Sequence, residues 1–285
     1  MRSGFVAVAG RPNVGKSSLV NALCGGKVTI VSDKPQTTRR RIFGIANGDD
    51  YQLVLADLPG FQRPLDPLTE RMQKTVDSSF EDLDGVLLVD CRAHIGSGDR
   101  FIAQRVFALG VPVVIAVNKV DRLKPAHIAT QMQAAARLGD FHALHPVSAK
   151  TRDGIDELRE ELVDLLPEGP LYYPADQRTD LSVTEQIAEL VREQALALTR
   201  EEVPHSISAE VEEFEERMVR VSVIVETESQ KTILVGKGGS MVRKIGMQAR
   251  PAVEQLLGRK IYLELHVKVR PKWRQNDAML ERFGL

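Results

Sequence analysis

The run Gly10-Arg11-Pro12-Asn13-Val14-Gly15-Lys16-Ser17 constrains this chain more than any other stretch. It has the G-x-x-x-x-G-K-[ST] spacing, follows the apolar run Phe5–Ala9, and opens into Ser18-Leu19-Val20-Asn21-Ala22-Leu23, which reads as a helix. Strand, glycine loop and helix in that order make a phosphate-binding loop rather than a plain turn. Gly15 and its neighbours, Gly10, Asn13, Val14 and Ser18 among them, turn backbone N–H groups inward. The helix N-terminus adds partial positive charge, and Lys16 reaches the β- and γ-phosphates. Ser17 is left to hold Mg²⁺.

The chain has 285 residues, enough for two domains that each bury a core. Apolar runs at Phe5–Ala9, Tyr51–Ala56, Val86–Val89, Val111–Val117 and Ala143–Val147 alternate with amphipathic stretches such as Arg100–Leu109, Ala126–Leu138 and Gly154–Leu166. That alternation predicts an α/β fold, a mostly parallel sheet flanked by helices. Ligands of such sheets sit at the carboxyl ends of the strands, and the remaining motifs fall there. Asp57-Leu58-Pro59-Gly60 is a D-x-x-G, whose carboxylate can hold Mg²⁺ through water while Gly60 lets its N–H approach a γ-phosphate. In Asn118-Lys119-Val120-Asp121, the Asp121 carboxylate can accept both N1–H and the exocyclic amine of guanine, a donor pair that adenine lacks. Asn118 braces the loops and the Lys119 stem covers the base. Ser148-Ala149-Lys150 follows the last strand, with the Ala149 N–H facing the guanine O6.

Four motifs in this order resemble the GTPases of the translation-factor class over residues 1–166. The resemblance implies a switch threonine between the phosphate loop and D-x-x-G; Thr38 is assigned, with Thr37 as the fallback. Its hydroxyl binds Mg²⁺ alongside Ser17 and Asp57, and its N–H senses the γ-phosphate. Where many small GTPases carry a water-orienting glutamine, this chain has Phe61, with Gln62 one position out of place. It therefore resembles the branch in which the phosphate-loop asparagine, here Asn13, helps bind K⁺. Slow hydrolysis stimulated by K⁺ follows, with Lys16, Thr38, Gly60 and Asn13 as the catalytic set. Arg39, Arg40 and Arg41 read as a solvated basic face.

Pro167-Glu168-Gly169-Pro170-Leu171-Tyr172-Tyr173-Pro174 breaks the pattern. It sets the domains at 1–168, a linker at 169–178 and a second domain at 179–285, with Tyr172 and Tyr173 packed at the junction. Net charge is −1, but it is unevenly spread: Asp176–Glu228 holds 5 basic and 14 acidic residues, Lys231–Arg274 holds 11 basic and 2 acidic. A helix starting at Thr179 or Asp180, two alternating strands around Ile207–Val211 and Val219–Val225, a helix over Met241–Leu257 and a strand over Ile261–Val269 are expected.

Between them lies Gly236-Lys237-Gly238-Gly239-Ser240. A basic G-x-x-G in an α-β-β-α-α-β order resembles a type II KH domain, an α+β fold, and on that resemblance Gln230–Val235 is a short helix. No side chain of the loop stands between its backbone and a sugar–phosphate chain. Ile233, Val235, Met241 and Ile245 would line a groove for unstacked bases. Lys231, Lys237, Arg243 and Lys244, with Lys268, Arg270, Lys272 and Arg274, supply attraction to RNA. Trp273 either stacks on a base or seals the edge of the core.

One GTPase domain followed by one type II KH domain resembles the Era family of bacterial ribosome-assembly GTPases, most specifically in Lys34–Arg41, Ser229–Ile245 and Arg270–Arg274. The resemblance implies GTP/GDP, Mg²⁺ and K⁺ as ligands, 16S rRNA near its 3′ end and the 30S subunit as partners, and a role in small-subunit assembly. It also implies a cytoplasmic monomer found partly at the inner membrane face, although the sequence contains no amphipathic anchor. Two cysteines, Cys24 and Cys91, suit a reducing interior. Two alternatives stand beside this reading: a P-loop kinase or ATPase, and a constitutive KH RNA-binding protein that keeps nucleotide as a structural ligand.

Overall fold

Strands that are apolar on both sides need cover on both faces. In the computed structural model, which describes residues 1–61, 64–90 and 95–285, six strands meet that demand in one sheet. These are β1 (Arg2–Ala9), β2 (Ile42–Asn47), β3 (Tyr51–Asp57), β4 (Gly85–Asp90), β5 (Val113–Val117) and β6 (Ala143–Pro146). They lie in the order β2-β3-β1-β4-β5-β6, and only β2 runs antiparallel to its neighbour. Helices α1 (Lys16–Leu23), α2 (Pro67–Ser78), α3 (Ser97–Phe107), α4 (Pro125–Ala135) and α5 (Ile155–Asp164) supply the cover.

The two-residue period of a strand sorts the contacts. Val6, Val8, Leu87 and Val114 share a core with Leu19 and Leu23 of α1 and Leu158 and Leu162 of α5. Ala7, Ala9, Leu88 and Ile115 point to the other face, where Val76, Ile102, Val106 and Ala135 bury them. Crossovers between parallel strands leave β1, β3, β4, β5 and β6 all pointing their carboxyl ends at one rim, where the motifs sit.

In the second half, α6 (Val183–Leu198), α7 (Val203–Ser206), β7 (Ser208–Phe214), β8 (Met218–Val225), α8 (Glu228–Val235), α9 (Ser240–Leu257), β9 (Tyr262–Val269) and α10 (Asp277–Arg282) follow in order. The sheet is β7-β8-β9, antiparallel then parallel. Set aside the one-turn α7 and the terminal α10, and the order is α-β-β-α-α-β. Ile187 and Val191 of α6, Leu234 of α8, and Ala249 and Val253 of α9 close over Val219, Val221 and Val223.

Helix α6 starts later than Thr179 or Asp180, because Ser182 has the better cap. Its hydroxyl accepts from Glu185 N, and the Glu185 carboxylate accepts from Ser182 N at 2.8 Å. Thr179 and Asp180 instead serve β2, with Thr179 bridging Gly44 and Asp180 Oδ1 accepting from Phe43 N at 2.9 Å.

The chain divides into two compact units. One comprises Met1–Thr29, Thr38–Arg63 and Met72–Asp180; the other comprises Ile30–Thr37, Pro64–Arg71 and Leu181–Leu285. The expected linker over 169–178 thus belongs to the first unit. Gln52, fully buried, holds it there: its Oε1 accepts from Tyr172 N and Tyr173 N at 2.8 and 2.9 Å, and its Nε2 donates to Tyr173 O at 2.9 Å. Tyr172 stands edge-on to Phe5, with centroids 4.7 Å apart. Two stretches from the nucleotide half join the second unit, and Ile30 is buried in its core. From the second-unit helix α6, the Arg192 guanidinium donates to Thr37 O at 2.5 Å and the Glu193 carboxylate accepts from Val31 N at 2.9 Å.

Candidate functional site

Gly10 ends β1 with φ +147°, and a Cβ there would sit 2.5 Å from Val89 O. Gly15 has φ +102° and leads directly into α1. Both conformations belong to glycine, and together they fold the loop around the first turn of the helix. Inside it, Lys16 Nζ donates to Gly10 O and Arg11 O at 3.1 Å each. Burial pulls its pKa down to about 8, against the attraction of Asp57. Such an ammonium, bonded to two loop carbonyls, is poised for an anion.

Asn118 joins three loops. Its Nδ2 donates to Val14 O at 3.1 Å, and its Oδ1 accepts from Lys119 N at 2.8 Å and Ala149 N at 3.1 Å. Lys119 Nζ reaches Asn13 O at 2.5 Å, which lays its stem along the phosphate loop. Asp121 is exposed rather than buried, and Ser148, fully buried, donates to its Oδ1 at 2.8 Å. The Ala149 N–H expected to face the guanine O6 is therefore engaged by Asn118 here. Lys150 is exposed beside it.

Three hydroxyls converge on Asp57. Its Oδ2 accepts from Ser17 at 2.7 Å, Thr29 at 3.0 Å and Thr38 at 3.3 Å, and Ser17 and Thr38 lie 3.0 Å apart. Oδ1 is buried and has no hydrogen-bond partner among the described residues. Burial pushes the Asp57 pKa up, opposed by Ser17, Lys16, Thr29 and Thr38. A desolvated carboxylate with one oxygen unsatisfied beside two hydroxyls is a donor set for a hard divalent cation, whose charge offsets the burial cost. The residues present thus fit Mg²⁺. Thr37 turns the other way, donating to Lys34 O at 2.6 Å, so Thr38 is the threonine at the site.

Gly60 backs onto the phosphate loop: a Cβ would fall 2.8 Å from Pro12 N and Cγ. Phe61 is buried, stacked on Phe80 with centroids 5.8 Å apart. Gln62 lies outside the described residues. Arg39 is buried, contrary to a solvated basic face, and Arg41 lies over the Phe43 ring at 4.6 Å. Sequence reasoning missed Thr29, whose partner Asp57 lies 28 residues on, and Asn21, whose side chain holds the backbone of Val28 and Thr29 outside any motif.

In the second unit, Gly236, Gly238 and Gly239 have φ of 70°, 59° and 77°, a run that side chains resist. Lys237, Ser240, Arg243 and Lys244 are exposed around it, Lys231 is half-buried, and Ile233 is 47% exposed. One expectation needs correction, one open alternative resolves, and two of the expected basic contacts are already ion-paired. Ile245 is fully buried in the core, so it lines no groove. Trp273 seals the core: it is fully buried, its Nε1 donates to Ser206 O at 2.8 Å, and Phe283 packs edge-on at 5.3 Å. Arg274 is held by Glu226 at 2.8 Å and faces Asp66 at 3.5 Å. Lys268 is paired with Glu212. Arg270 and Lys272 remain exposed.

The class is thereby defined: a P-loop GTPase unit joined to a type II KH unit. Residues 5–119 match the family described as 50S ribosome-binding GTPase, and residues 202–274 match the KH domain family. Along its whole length the chain is similar to GTPase Era of Heliobacterium modesticaldum, 42% identical and covering 97% of that protein. To GTPase Era of Thermotoga maritima it is 43% identical, with 98% covered. This chain belongs to the Era family of GTPases. A crystal structure of Era in complex with MgGDPNP and nucleotides 1506–1542 of 16S ribosomal RNA matches all of it, with a TM-score of 0.95, 36% identity and 99% of that chain covered. An Aquifex aeolicus Era variant bound to GDP·AlF4⁻ matches with a TM-score of 0.94, 36% identity and the same coverage.

Proposed function

We propose that this chain is a GTP- and GDP-binding switch that hydrolyses GTP slowly, binds small-subunit 16S rRNA near its 3′ end through its KH unit, and acts in 30S subunit maturation. The observation that carries this reading is the full-length likeness to a relative solved with both a GTP analogue and an rRNA segment. Ser17, Thr38 and Asp57 hold Mg²⁺, which when bound neutralises charge on the phosphates. Lys16 exchanges the carbonyls of Gly10 and Arg11 for phosphate oxygens. The N–H groups of Thr38 and Gly60 report on the γ-phosphate, and Asp121 selects guanine. Phe61, packed on Phe80, orients no water. Asn13 instead helps to hold K⁺, so hydrolysis is expected to be faster in KCl than in NaCl; equal rates would reject this role.

Loss of the γ-phosphate releases Thr38, and with it the adjoining Ile30–Thr37 segment of the second unit. RNA meets the second unit at Gly236–Ser240, with Lys231, Lys237, Arg243, Lys244, Arg270 and Lys272 around it and Ile233 as an exposed apolar contact. The protein is cytoplasmic and monomeric in this reading, with peripheral contact at the inner membrane face. No helix among the described residues is long and apolar enough to cross a membrane.

Sequenced RNA crosslinking in cells tests the assignment, with Gly236→Asp as control, since a Cβ there would lie 2.8 Å from Met241 Cβ at positive φ. Reads concentrated near the 3′ end of 16S rRNA and lost in the variant are expected. Reads spread over unrelated messages would overturn the ribosomal role.

A further inference from the structure

Among the three hydroxyls on Asp57, one differs from the others in how it is held. Thr29 is buried, and the Asn21 side chain on α1 takes both of its backbone groups: Nδ2 donates to Thr29 O at 2.8 Å, and Oδ1 accepts from Thr29 N at 3.0 Å. The same Oδ1 accepts from Val28 N at 2.9 Å. Asn21 therefore rivets the chain at Val28–Thr29 to the helix that carries Lys16 and Ser17. With its backbone groups spoken for and a stiff β-branched side chain, Thr29 presents its hydroxyl to Asp57 Oδ2 at 3.0 Å in a fixed direction.

We propose that Thr29, set by Asn21, is a positioning residue that orients the Asp57 carboxylate for Mg²⁺. Ser17 and Thr38 give up their bonds to Asp57 when their oxygens turn to the cation; Thr29 does not ligate and keeps its bond. A carboxylate rotates about a soft torsion, so a fixed donor on Oδ2 is what keeps Oδ1 directed at the ion. Oδ1 is the oxygen that has no hydrogen-bond partner among the described residues. Hydrogen-bond partners one step behind a metal ligand alter metal affinity by roughly 10- to 100-fold when removed.

The inference rests on the Mg²⁺-dependent reading of this site, and the test separates the two. Release of a fluorescent GDP is followed in the full-length protein as free Mg²⁺ is titrated, and GDP affinity is measured separately in EDTA. Thr29→Val removes the hydroxyl and keeps the shape. It is expected to raise the Mg²⁺ needed for half-maximal retention by about tenfold, to leave GDP affinity in EDTA within about twofold of the parent's, and to be rescued by Thr29→Ser. A wild-type protein whose GDP release ignores Mg²⁺ would overturn the underlying reading. A normal response in wild type with no shift in Thr29→Val, or an equal loss of GDP affinity with and without Mg²⁺, would overturn the role of Thr29. If Thr29→Val does not fold, Asn21→Ala applies the same test: it leaves the hydroxyl and frees its backbone, and an unchanged Mg²⁺ requirement would equally refute the proposal.

Discussion

Replacing Asn118 by alanine removes three hydrogen bonds at once: the donation to Val14 O and the acceptances from Lys119 N and Ala149 N. Asn118 is 2% exposed, so water does not readily replace them. At about 1 kcal/mol net each, the loss comes to about 3 kcal/mol. These bonds preorganise the phosphate loop and the two base loops before any ligand arrives. Without them the loops must be ordered on binding, and at 1.4 kcal/mol per decade the dissociation constant for GDP is expected to rise by up to ~100-fold. Ser148→Ala is the comparison. It removes only the bond to Asp121 and the one from Thr151 N at 3.1 Å, and it leaves Val14 untouched. A loss of about tenfold, borne by guanine recognition alone, is expected there. The assay is competition of unlabelled GDP and GTP against a fluorescent GDP, with thermal melting of each nucleotide-free protein. A protein that melts earlier but binds GDP within about threefold of wild type would refute the bridging argument, since Asn118 would then support the fold and not the site.

Thr38→Ala is expected to bind GTP but to lose the difference in RNA affinity between the GTP and GDP states, measured by filter binding; survival of that difference would remove Thr38 from the switch. Trp273→Phe orphans Ser206 O and leaves a small cavity. It should destabilise the second unit by about 2–3 kcal/mol in denaturant unfolding; a loss of RNA affinity without that destabilisation would restore the stacking role. Burial raises the Cys24 thiol to about 12. In a Cys91→Ser background at pH 8, alkylation should run about 10³-fold slower in the native than in the unfolded protein, whose thiol titrates near 8.5. The folded state favours the protonated thiol. Its contribution to stability is thus intact below about pH 8.5 and is lost as the pH climbs toward the folded value.

Much of the site was legible because its motifs are contiguous and each sits at a strand end. The phosphate loop, Asp57-Leu58-Pro59-Gly60 and Asn118–Asp121 announce themselves by spacing alone. What escaped was set by distant partners. Strand β2 begins directly after three arginines and contains Gly44, so its alternation is short; pairing with β3 makes it a strand. Helix α2 carries its apolar residues as Leu68, Met72 and Val76, a thin stripe at four-residue spacing in a polar sequence that went unread, and their burial confirms the face. The KH order was readable from the glycine loop, whereas Trp273 and Ile245 went inward for reasons of packing. Arg274 and Lys268, though basic and well placed, are answered by Glu226 and Glu212 from the acidic half of the same unit. Charge counted along a sequence does not say which cations are already neutralised.

The apportioning of the chain bears on how it can be cut. The backbone passes from one compact unit to the other five times, at 29/30, 37/38, 63/64, 71/72 and 180/181. Removing residues after 180 would therefore not liberate an intact nucleotide module. It would strip Ile30 of the core in which it is 3% exposed, and leave the Val31 amide and the Thr37 carbonyl without Glu193 and Arg192. Thr29 and Thr38, which flank that orphaned stretch, both hydrogen-bond to Asp57. Kinetic constants measured on such a fragment would describe an altered site, because the chain segments between Thr29 and Thr38 would have lost the residues that bury and hydrogen-bond them.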